Sequence, residues 1–133
     1  LIKKNSLQKS VLILNNVNRK KLIEYYNNCS FFISPSIYEG FGITILEAMK
    51  SRKIILASNI NVFKEISPRG IVFFNSNSVK SMYEKLQYVI KNKNKLKKNI
   101  NYNFKRVKKF EFEKVNKELI KLYTKKILNN AKK

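Results

Sequence analysis

Residues 36–49 read Ser-Ile-Tyr-Glu-Gly-Phe-Gly-Ile-Thr-Ile-Leu-Glu-Ala-Met, and the order of residue types in this run decides the fold. Upstream, Phe31-Phe32-Ile33-Ser34 has the composition of a buried strand, which Pro35 ends. Downstream, Ile43, Ile45, Leu46 and Met49 suit a helix packed against a sheet. A strand, a glycine turn and a helix beginning near Gly42 together make an anion site, because the first helical N–H groups have no partner inside the helix. A phosphate-bearing ligand is the first expectation.

Two carboxylates narrow it. Glu47 lies ~7 Å along the axis of a helix that starts at Gly42, at about 1.5 Å rise per residue. Glu39 sits in the turn on the other side of the free N–H groups. An ionised carboxylate repels a phosphate placed directly against it but accepts well from hydroxyls. A ligand with phosphates in the middle and polyhydroxylated rings at both ends fits, and a nucleotide-sugar has that shape. Taken alone, Glu47 is an ordinary favourable partner of a helix dipole. The ligand reading rests on the whole run, with both glycines and both glutamates in order.

The rest of the chain alternates. Val11 to Leu14 is expected as a short buried strand, and Asn18 to Asn28 as a helix with Leu22, Ile23 and Tyr26 inward. Strands are expected at 31–34, 53–57 and 70–74, separated by the motif helix and a short helix near 61–66. Ser78 caps a helix whose Val79, Met82, Tyr83, Leu86 and Ile90 follow 3–4 spacing. Phe112, Val115, Leu119, Leu122 and Ile127 give a last amphipathic helix. The β-α-β rhythm calls for an α/β fold, a Rossmann-like parallel sheet with flanking helices, whose ligands bind at the carboxyl ends of the strands. The partial nucleotide-sugar domain is expected over residues 1–91, and residues 92–133 form its basic helical extension.

The motif resembles the C-terminal, donor-binding domain of group 1 (family 4) glycosyltransferases of the GT-B fold, whose hallmark is a pair of glutamates separated by seven residues. Ser36, Glu39, Gly40, Phe41, Gly42, Glu47, Ala48 and Met49 match it in spacing. The likeness continues through Ile54-Ile55-Leu56-Ala57-Ser58-Asn59, Phe63-Lys64-Glu65-Ile66 and Gly70-Ile71-Val72-Phe73-Phe74, and the stretch from Phe110 to Tyr123 resembles the closing helix. It covers roughly residues 10–125. By this resemblance, Glu39 is the catalytic residue, contacting the transferred sugar, and Glu47 holds the ribose hydroxyls. Backbone N–H groups of Phe41, Gly42, Ile43 and Thr44 face the sugar and pyrophosphate. Gly40 and Gly42 permit that approach by lacking a Cβ and tolerating positive φ. Phe41 is read equally well as a packing residue beneath the loop. The family mostly transfers a hexose with retention of configuration and needs neither a metal at the pyrophosphate nor a cofactor. Basic groups and the helix N-terminus take the metal's part. The acceptor implied is a lipid-linked or cell-envelope glycan.

The departures are informative. Where the family continues A-x-G-x-P-V, this chain has Lys50-Ser51-Arg52-Lys53-Ile54-Ile55, so Arg52 replaces a glycine at a helix end. Two Rossmann-like halves flank a GT-B active site, whereas 133 residues suffice for one core. The N-terminal acceptor domain and the usual Arg/Lys pair for the pyrophosphate are expected to be missing, and no motif marks Lys3, Lys4 or Lys9 as a substitute. The chain has no histidine, and the fragment alone is expected to be inactive.

Composition supplies a rival reading. The formal net charge is +21, and residues 91–133 hold 16 Lys/Arg against 3 Glu. Such a segment, with Tyr102, Phe104 and Phe110 interleaved, could serve a non-catalytic remnant or basic module that docks on an anionic membrane surface or on nucleic acid. Only four of the 29 cations are Arg and Asp is absent, which favours biased composition first, a membrane surface second and nucleic acid last. The single cysteine, Cys29, excludes an internal disulfide and is expected as a small buried hydrophobe. With neither signal peptide nor membrane span visible, the expected location is cytoplasmic, with peripheral contact at the inner face of the membrane as a variant.

Overall fold

The computed structural model describes residues 1–130, with side chains as far as Thr124. Three parallel strands form the sheet in the order β1 (Phe31–Ser34), β2 (Ile54–Ser58), β3 (Ile71–Phe74). Phe31 pairs with Ile54 and Ile55 with Ile71, so the strands are in step and their carboxyl ends lie together. Parallel neighbours need a crossover, and the chain supplies helices between them. Helix α1 (Arg19–Asn28) precedes β1, α2 (Ile43–Lys50) joins β1 to β2, and α3 (Asn61–Ile66) joins β2 to β3. After β3 come α4 (Val79–Lys91), α5 (Lys97–Val107), a 3-10 turn at Lys108–Phe110 and α6 (Phe112–Asn130).

Every residue of β2 is buried, as the central strand of a sheet covered on both faces requires. Alternation then sorts its side chains into two cores. Ile55 and Ala57 join Tyr26, Ile45, Met49, Phe63 and Val107 on one face, while Ile54 and Leu56 join Phe74, Val89 and Leu96 on the other. Helix α5 is fastened to the α3–β3 connection by side chains that donate to backbone carbonyls. Asn99 Nδ2 bonds the Arg69 carbonyl at 3.3 Å, and Asn103 Nδ2 bonds that of Gly70 at 2.8 Å. Arg106 bonds both the Ile66 and Glu65 carbonyls.

The α/β fold class and the strands near 31–34, 53–57 and 70–74 agree with expectation, as do the helix start at Gly42, the short helix over 61–66 and the Ser78 cap. Several finer expectations are overturned. Val11 to Leu14 form no strand and are exposed; no described strand lies beyond β1 to complete their ladder, and an apolar run without a ladder has no reason to extend. Ile23 and Ile43 also point outward, because the face of α1 that meets the core runs through Leu22 and Tyr26, and that of α2 through Ile45, Ala48 and Met49. On α4 the covered stripe is Met82, Leu86 and Val89, leaving Val79, Tyr83 and Ile90 exposed. Cys29 is half-buried; it follows α1 as its C-cap, where its backbone N–H bonds the Tyr25 carbonyl at 2.9 Å. On α6, Phe112, Val115, Leu119 and Leu122 are all exposed, and Ile127 lies outside the residues whose side chains are described.

Arg52 adopts the left-handed conformation (φ 55°) that glycine favours at such an end. The Lys53 N–H bonds the Ala48 carbonyl at 3.1 Å and the Arg52 N–H bonds that of Met49 at 3.2 Å, the paired closure of a helix terminus. Its guanidinium lies 3.9 Å from the centre of the Phe104 ring, a stacking contact that offsets the backbone cost.

Candidate donor-binding site

The motif turn leaves the carboxyl end of β1 and is built on a serine scaffold. Ser34 and Ser36 hydroxyls lie 3.3 Å apart, and the Ser36 hydroxyl donates to Glu39 Oε1 at 2.8 Å. From the end of β2, the buried Ser58 hydroxyl donates to the Ser36 carbonyl. Glu39 is therefore held at the strand ends by a neighbour three residues back, and its second oxygen remains available to a ligand. Ser34, Ser36 and Ser58 were not singled out for this role from sequence; the position of Ser36 inside the motif was the available signal.

Gly42 is the N-cap of α2 and lies in the left-handed region (φ 81°). A Cβ there would meet Ile66 Cδ1 at 2.9 Å and Phe63 Cε1 at 3.1 Å, so α3 packs directly beneath the turn. Gly40 differs: its φ is not positive and a Cβ would meet nothing within 4 Å, so its freedom is not required by the fold. No side chain among the described residues caps α2. Among the described residues, the N–H groups of Phe41, Gly42, Ile43 and Thr44 donate to no protein acceptor, so the start of the helix presents free donors. Phe41 is exposed rather than beneath the loop, with its ring edge-on to Phe110 at 6.4 Å between centroids. Ile43 and Thr44 are exposed as well.

The two glutamates border different cavities on either side of this turn. Glu39 lines one of about 390 Å³ with Ile37, Tyr38, Ile60, Asn61 and Val62. Glu47 lines one of about 550 Å³ whose walls include Arg19, Lys50, Phe110 and Glu111. Its Oε1 is 3.3 Å from a guanidinium nitrogen of Arg19, a residue that no sequence motif marks. Tyr26 approaches from the same helix, its hydroxyl donating to the Thr44 carbonyl at 3.4 Å. Burial pushes the Tyr26 phenol well above its ordinary pKa, and the Glu47 carboxylate adds to the shift. Among the described residues there is no group of three or more His, Cys, Asp or Glu side chains that could hold a metal, and no helix long and apolar enough to cross a membrane.

Residues 1–107 match the family model described as glycosyl transferases group 1. The chain belongs to this family. Among curated relatives, it is 36% identical over 75 residues to the O-antigen chain mannosyltransferase RfbU of Salmonella typhimurium, covering 56% of this chain and 21% of that protein. It is 39% identical over 61 residues to the serotype-specific mannosyltransferase WbdA of Escherichia coli, covering 46% of this chain and 8% of that one. An uncharacterized glycosyltransferase of Methanocaldococcus jannaschii is 30% identical over 114 residues, or 84% of this chain and 32% of the relative. The chain thus spans a third or less of the length of these group 1 relatives. The fold is that of a sucrose-phosphate synthase from Thermosynechococcus elongatus, with a TM-score of 0.84 at 18% identity, covering 96% of this chain and 33% of that one. The expected α/β fold, a parallel sheet with flanking helices like one half of a GT-B glycosyltransferase, is borne out.

Proposed function

We propose that this chain is the donor-binding part of a hexosyltransferase that takes a nucleotide-diphosphate sugar. The observation that carries the reading is the pair of carboxylates on opposite sides of a turn whose backbone donors are free. In this reading Glu39 accepts from the sugar hydroxyls next to the reacting carbon, and Glu47 accepts from the ribose. The N–H groups of Phe41 to Thr44 between them meet the pyrophosphate and stabilise the charge that grows on it as the glycosidic bond breaks. Gly40 keeps that approach open because no Cβ intrudes. Transfer proceeds with retention, without a metal at the pyrophosphate. The acceptor is a lipid-linked or cell-envelope glycan, bound by an N-terminal half outside these residues, on the cytoplasmic side of a membrane. Residues 1–91 act as the donor domain, and the basic segment over 92–133 as its extension. Mannose is the first sugar to test, since relatives are named as mannosyltransferases.

Calorimetric titration of the full-length protein with UDP, GDP, ADP and their sugars checks this reading. One nucleotide series is expected to bind, and Glu47→Ala to weaken it by about tenfold or more, as loss of a charged hydrogen-bond acceptor does. If no nucleotide binds, or Glu47→Ala leaves binding unchanged, the donor site is not here.

A further inference from the structure

Arg19 opens α1 in the company of Lys20 and Lys21, with no acidic residue in that first turn. A helix N-terminus is where cations are disfavoured. Local helix preference therefore gives no reason for an arginine at this position, and its partners do. Lys21 is paired within the helix to Glu24 at 2.8 Å, whereas Arg19 reaches 28 residues along the chain to Glu47. Arg19, Leu22 and Tyr26 share one face of α1, and all three border the 300 Å³ cavity that Glu47 also lines. Arg19 and Glu47 together border the neighbouring 550 Å³ cavity as well, so their ion pair stands in the wall between the two. The carboxylate is the more enclosed partner, at 25% side-chain exposure against 78% for the guanidinium.

We propose that Arg19 is a positioning residue for the nucleotide site: it holds Oε1 of Glu47 and leaves Oε2 turned to a pair of vicinal hydroxyls. This rests on the donor-site reading above, in which Glu47 grips ribose. A carboxylate on a long side chain has several rotamers, and ordering it before the ligand arrives removes part of the entropic cost of binding. Lysine carries the charge but lacks the planar fork, so it restores the effect only in part.

The test uses the full-length protein and whichever of UDP, GDP or ADP binds it most tightly, together with the 2′,3′-dideoxy form of that nucleotide. Arg19→Ala is expected to weaken the ribonucleotide about three- to fivefold, the range of a partly exposed ion pair, and to leave the dideoxy form unchanged. Arg19→Lys recovers part of the loss, and Lys20→Ala, which removes the same charge one residue away, changes neither. In the Glu47→Ala background, Arg19→Ala has no further effect. Equal weakening of both nucleotides, no weakening of either, or an equal loss with Lys20→Ala overturns the proposal. Failure of the donor reading is distinct: there Glu47→Ala itself leaves ribonucleotide binding unchanged.

Discussion

Helices α2 and α6 are both amphipathic on paper, yet the structure treats them oppositely. On α2, Ile45, Ala48 and Met49 are fully buried against the sheet and α3. On α6, Phe112, Val115, Leu119 and Leu122 carry the same spacing and stand in solvent. Periodicity states that a helix has an apolar face; it does not state that this chain supplies the cover. The cover for α2 comes from α5 and from β2, the strand that follows it, whereas α6 follows the last described strand by many residues and, among the described residues, lies chiefly beside the 3-10 turn. Stability and site geometry should therefore be concentrated at α2 and nearly indifferent to α6.

Three measurements press on that contrast. Met49→Ala removes a fully buried side chain and should cost about 2–4 kcal/mol in chemical denaturation, through lost transfer energy and a residual cavity. A loss below ~1 kcal/mol would mean that α2 is no better anchored than α6. Gly42→Ala should cost about 1–3 kcal/mol, since it joins a left-handed backbone to a Cβ 2.9 Å from Ile66. It should also reduce nucleotide binding, because the turn must shift to relieve the contact. Leu119→Ala, on the exposed stripe of α6, should change stability by no more than about 0.5 kcal/mol. A larger loss would reveal that α6 is covered in solution.

The pH dependence should point to the α1–α2 contact. Tyr26 titrates higher in the fold than its ordinary value of 10.0, chiefly through burial. The fold thus favours the protonated phenol: its contribution is fully present below the unfolded value and is lost as pH rises towards the folded one. Alkaline denaturation above about pH 10 should be shallower in Tyr26→Phe than in the parent. An unchanged slope would mean that the phenol is no more buried folded than unfolded.

The centre of the molecule was legible because several kinds of signal coincided there. Phe31 to Ser34, Pro35, the two glycines and the helix face after them each point to the same strand–turn–helix unit, and the structure has it. Elsewhere single signals misled. Val11 to Leu14 are as apolar as a strand, but strands exist only in pairs, and sequence does not show whether a partner is in reach. On α4 the 3–4 spacing admits Val79, Tyr83 and Ile90, which lie beside the covered Met82, Leu86 and Val89 on a helical wheel. Arg19 could not be found at all: an ion pair joining positions 19 and 47 is a product of tertiary packing, and neither residue type at its own position announces the other. Helix α5 reads in sequence as part of a basic extension, because its anchoring groups, Asn99, Asn103 and Arg106, are polar and act through carbonyls rather than through an apolar stripe.

Those anchors tie the helix opening of the motif to a distant stretch of chain. Gly42 rests on Phe63 and Ile66, and the carbonyls of Glu65 and Ile66 are in turn gripped by Arg106. The motif turn thus stands on a relay of supports whose last member lies more than sixty residues beyond it in sequence. A chain ended at residue 91 would keep every residue of the motif and lose its foundation. In hydrogen exchange, such a shortened chain would open first around α3 rather than at the motif itself, and the seat of the turn would soften before its own sequence had changed.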